Sequence, residues 1–94
     1  MVHYTCQRVM LPTVEAALAA NGYVVERPLM WEVNGDRMVV MTHLSAVVLL
    51  AEREQSEIAD IEVYGVAHTF ATMLLEQLPI CLAKQSAPGN ISHQ

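Results

Sequence analysis

Along the chain the apolar residues recur first at a helical period and then at an extended one. Leu11, Val14 and Leu18 are spaced three and four apart, and the alanines between them favour helix intrinsically. Pro12 suits a first helical turn, where its missing donor costs little. Asn21-Gly22 supplies the stop, since glycine tolerates the left-handed geometry just past a helix end. A helix over 11–22 is therefore expected, preceded over 3–10 by a weakly patterned segment that is either extended or an irregular lead-in.

Residues 23–42 read as sheet. Tyr23-Val24-Val25 is a candidate strand that Pro28 closes. Leu29–Val33 and Arg37–Thr42 flank Asn34-Gly35, the pair preferred in two-residue hairpin turns. That turn sets Val33 opposite Asp36, Glu32 opposite Arg37 and Trp31 opposite Met38. One face of the hairpin then carries Leu29, Trp31, Val33, Met38 and Val40. The other carries Met30, Val39 and Met41 beside the Glu32–Arg37 pair. A hairpin wetted on one side alternates apolar with polar residues; this one does so only near its turn. A helix layer accounts for one covered face, and a second helix or a second subunit for the other.

Further on, Leu44, Val47, Val48 and Ala51 fit one stripe of a helix over 44–54 that Thr42 or Ser45 would cap. Ser56 would cap a third helix carrying Ile58, Ile61, Phe70, Met73 and Leu74 and stopped by Pro79. Its competitor is a strand at 60–64, broken by Gly65, followed by a shorter helix over 66–78; the β-branched Ile61-Glu-Val supports that version nearly as well. The continuous helix is taken as the expectation. The fold class is then α+β: a helix, an antiparallel hairpin with a candidate third strand, and two helices on the sheet. Residues 1–84 form one domain, and 85–94, without apolar periodicity, a flexible tail.

Composition sharpens this picture. Apolar residues make up 53% of the 94 positions and charged residues only 16%, below the usual quarter or so. A small domain has proportionally more surface to wet, so the excess points to a covered apolar face. Ten carboxylates against five Lys and Arg give a net charge of −5. The bases Arg8, Arg27, Arg37, Arg53 and Lys84 are scattered, whereas a phosphate backbone calls for clustered cations. No nucleic-acid partner is expected. The longest charge-free run, 38–51, is too short for a spanning helix and contains polar residues. With no signal-peptide pattern and no secreted cysteine framework, a cytoplasmic location with reduced Cys6 and Cys81 is expected.

The residues with chemical potential form no strong motif. His3 and Cys6 are three apart, and His43, Cys81 or His93 would have to complete a zinc site; structural zinc normally uses two such pairs. No metal and no cofactor are expected. Tyr64, His68 and Thr72, with Asp60, would share one face of a continuous third helix and set a phenol beside an imidazole. Cys81 would follow a helix carboxyl end, the wrong pole for lowering a thiol pKa, and reads as buried and inert. There is neither a Gly-x-Ser-x-Gly elbow nor a glycine-rich phosphate loop, and no enzyme is expected.

These readings favour a small acidic interaction protein that associates with itself, as a homodimer, or with another protein. Its interface would be Met30, Trp31, Met38, Val39 and Met41, since thioethers adapt to varied surfaces and Trp is favoured at interface centres. The alternative is a small-molecule site in which Trp31 lines an apolar pocket and Glu26 or Glu32 selects a cationic ligand. A DNA-associated regulator, with helices and a hairpin wing, is the third reading; the charge balance opposes it.

Overall fold

The computed structural model describes residues 1–85. Seven strands form one antiparallel sheet: β1 Val2–Gln7, β2 Val24–Val25, β3 Trp31–Val33, β4 Asp36–His43, β5 Ala46–Glu52, β6 Ile58–Tyr64 and β7 Ala83–Gln85. Two helices accompany it, α1 Leu11–Ala20, entered through a 3-10 turn at Arg8–Met10, and the shorter α2 His68–Glu76. The order across the sheet is β2-β4-β5-β6-β1-β7, and β3 pairs with the same edge of β4 as β2 does. The chain is α+β, but the expected succession of one helix, a hairpin and two helices is wrong; it is mostly strand.

Two segments account for the difference. Residues 44–54 form no helix; β5 lies there, with Ala46, Val48 and Leu50 buried and the residues between them half-buried. The same short apolar run satisfies helical and extended periods alike, and strands on both flanks take up its backbone groups. Nor is the third helix continuous. Ala59, Ile61 and Val63 are buried in strict alternation along β6, Gly65 turns the chain, and α2 follows. The competing strand–glycine–helix version is the one the chain adopts. The expected capping residues serve elsewhere: the Thr42 hydroxyl donates to Glu26 at 2.6 Å, and the Ser56 hydroxyl accepts the Ile58 N–H at the entry to β6.

Other local expectations hold. Leu11, Val14 and Leu18 are the buried residues of α1, Pro12 lies in its first turn, and Asn21 is its C-cap. Asn34 and Gly35 both have positive φ, as the mirror-image hairpin turn requires, and the pairs Trp31–Met38, Glu32–Arg37 and Val33–Asp36 form as expected. Tyr23-Val24-Val25 contributes the two-residue β2. Of the expected flexible tail, Gln85 pairs with His3 in β7, and 86–94 lie outside the described residues.

Both helices lie on one face of the sheet. Tyr4, Val39, Met41, Val48, Leu50, Ile61 and Val63 project from the strands to meet Leu11, Val14 and Leu18 of α1 and Ala71 and Leu75 of α2 in a single core. Arg37 ties α1 to β4, with its two terminal nitrogens 2.8 and 3.3 Å from the Glu15 carboxylate oxygens. Burying a Leu or Val side chain contributes about 1.5–3 kcal/mol, so this helix-covered face carries most of the stability.

Candidate functional site

The opposite face of the sheet has no helix over it. Because side chains alternate along strands, the pairings place Val24, Trp31, Val33, Met38, Val40, Val47, Leu49 and Ala51 together there. Its far half, on β6 and β1, is polar: Asp60, Glu62, Tyr64, His3 and Thr5. His3 Nε2 lies 2.8 Å from Asp60, which Arg53 also approaches at 3.8 Å. The Tyr64 hydroxyl donates to Glu62. One sheet face is thus divided into a mainly apolar half, with Thr42 and Asp36 in it, and a polar half.

The residues expected at an interface divide between the two faces. Trp31 (44% exposed) and the half-buried Met38 belong to the open face, and Met30 precedes β3 with part of its surface exposed. Val39 and Met41 point the other way, into the helix-covered core, and are already enclosed by the chain itself. Val40 is buried on the open side, where the 3-10 turn Arg27–Leu29 packs against β4. For the cationic-ligand reading, Trp31 and Glu32 project to opposite faces of their strand, and Glu26 is engaged by Thr42.

A second feature lies at one end of the helix-covered face. An open pocket of about 360 Å³ is bounded by Asn21 and Tyr23 after α1, by His43, Leu44 and Ala46 at the β4–β5 turn, and by Ala67, Phe70 and Leu74 around α2. The Tyr23 and His43 rings meet with centroids 5.2 Å apart. Gly22 makes room for that imidazole, because a Cβ there would lie 3.0 Å from the ring. Burial pushes the Tyr23 phenol pKa up. Leu44, at the lip, is 85% exposed and has a φ of 55°. Sequence reasoning missed this pocket because its residues come from three separate segments; the Asn21-Gly22 stop was its only local sign.

The remaining candidates are dispersed. Tyr64 ends β6 whereas His68 opens α2, and their side chains have separate partners: Glu62 for the phenol, the Gly65 carbonyl for the imidazole. The expected helical row of Tyr64, His68 and Thr72 is therefore broken. Cys6 is buried, with its thiol pKa raised by burial and then by Asp60, whereas Cys81 is exposed rather than buried as expected. Among the described residues no group of three His, Cys, Asp or Glu is placed to hold a metal ion; His93 lies outside them. No helix among them is long and apolar enough to cross a membrane. No protein family, curated protein or solved structure matches the chain.

Proposed function

We propose that the chain is an interaction protein that pairs with a second copy of itself, open sheet face against open sheet face. The observation that carries this reading is the apolar half-sheet around Trp31, Met38 and Leu49, which neither α-helix covers. Six strand positions about 4.8 Å apart and strands of seven residues rising about 3.3 Å each span roughly 29 by 23 Å, or about 670 Å² in projection. A standard interface takes about 800 Å² from each partner; the apolar half supplies about half of that projected area and forms the centre of the interface, with the polar half as its rim. Two sheets stacked this way interdigitate their side chains across about 10 Å. A two-fold axis near β4 and β5 brings the apolar halves together and leaves Asp60 and Glu62 at the rim, where charge is tolerated.

Edge pairing is the weaker route. The outermost strands β2, β3 and β7 have two, three and three residues, and short edges make poor templates. Light scattering on a size-exclusion column at micromolar protein should give twice the chain mass. Trp31→Glu and Val33→Lys should each give a monomer that melts as a two-state unit. A wild-type chain that elutes as a monomer at those concentrations overturns the reading.

A further inference from the structure

The pocket between α2 and the β4–β5 turn lies on the opposite side of the sheet from the open face and needs a different occupant. We propose that it binds a small, uncharged, mainly apolar molecule carrying one hydroxyl group, with Tyr23 and His43 as its polar contacts. Its volume, about 360 Å³, lies within the range of small-molecule sites, about 300–1,000 Å³. Its wall is apolar at Leu44, Ala46, Phe70 and Leu74, and no Lys, Arg, Asp or Glu lines it. A charged ligand would therefore surrender its hydration without gaining a counter-ion.

The polar groups that do line it specify the remainder. Tyr23 is buried as a residue, but its hydroxyl still reaches solvent, since among the described residues no buried side-chain nitrogen or oxygen lacks a partner; the His43 ring, which the phenol ring meets, is exposed. Both polar groups are thus open to a molecule that enters the pocket. A phenol can donate, and a neutral imidazole always keeps one nitrogen that accepts. A ligand hydroxyl satisfies both at once, accepting from Tyr23 and donating to His43.

Benzyl alcohol is the probe, with benzoate and benzylammonium as its charged counterparts, titrated into isotope-labelled protein and followed by amide chemical shifts. Saturable shifts confined to Tyr23, Ala46, Leu74 and their neighbours are expected, with both ions binding at least tenfold more weakly. Tyr23→Phe and His43→Phe should each weaken the alcohol about three- to tenfold, the range of one hydrogen bond. Phe70→Ala, at a ring 74% exposed, should weaken it without disturbing the fold. The proposal is overturned by shifts that do not saturate, by an ion that binds as tightly as the alcohol, or by undiminished binding in all three variants. A monomeric protein that binds the alcohol leaves this site standing while removing the dimer.

Discussion

Leu44 has the backbone of a glycine and the side chain of a core residue, but the surroundings of neither. Its φ of 55° costs about 1–2 kcal/mol for a residue with a Cβ, and its exposed side chain recovers little of that by burial. Asparagine tolerates this region far better. Leu44→Asn should raise the unfolding free energy by about 1 kcal/mol in urea titrations while weakening benzyl alcohol at the neighbouring pocket; an unchanged or lower stability would show the residue to be unstrained. Gly65 presents the opposite case. A Cβ there would come within 1.9 Å of the Ser45 carbonyl oxygen, at a φ of 105°. Gly65→Ala should therefore destabilise by more than about 2 kcal/mol, since left-handed strain adds to displaced backbone. A loss below half that value, read from the same titrations, would mean that the β5 entry yields easily.

Among the elements, α1 and the β3–β4 hairpin were legible in the sequence because local chemistry decides each. Pro12 and Asn21-Gly22 bracket the helix, and Asn34-Gly35 sets the hairpin pairing to the residue. Elements β5 and β6 were not. Residues 46–52 carry apolar side chains toward both faces of the sheet, half-buried where they are not fully buried, so no alternation with polar residues marks the strand. In β6 the alternation of Ala59, Ile61 and Val63 with Asp60 and Glu62 is clean, but Ser56 and Glu57 imitate a helix start. The hydroxyl of Ser56 does accept a backbone N–H two residues on, as a turn rather than a cap. Of the candidate site residues, Trp31 and Met38 were assigned to a shared face correctly. The faces were readable from the hairpin; which of them the helices cover depends on packing between distant segments, and so Val39 and Met41 could not be separated from Trp31 and Met38 as residues of the open face.

At the scale of the whole molecule, the titrating groups that the fold perturbs act in one direction. Tyr4 and Tyr23 have their phenol pKa values raised by burial, Tyr4 further by the hydrogen bond it donates to Glu76. The Tyr64 value is raised by its bond to Glu62 and then by burial, and the Cys6 thiol by burial and then by Asp60. Above the ordinary values, about 8.5 for the thiol and 10 for the phenols, the unfolded chain releases protons that the folded one keeps. Their contribution is thus fully present at neutral pH and is lost as pH rises. The urea midpoint should stay level from neutrality to about pH 8 and fall above it, and Tyr4→Phe should make the fall shallower; a midpoint unchanged through pH 11 or so contradicts this. The sheet order carries a final consequence, for how the chain is made. Strand β1 sits between β6 and β7, so Val2–Gln7 finds its neighbours only in Ile58–Tyr64 and Ala83–Gln85. During translation β1 leaves the ribosome before either partner strand and waits, with Tyr4 and Cys6 unsheltered, for strands synthesised far later. Long-range closure of this kind makes folding slow and leaves β1 the strand most dependent on protection by chaperones.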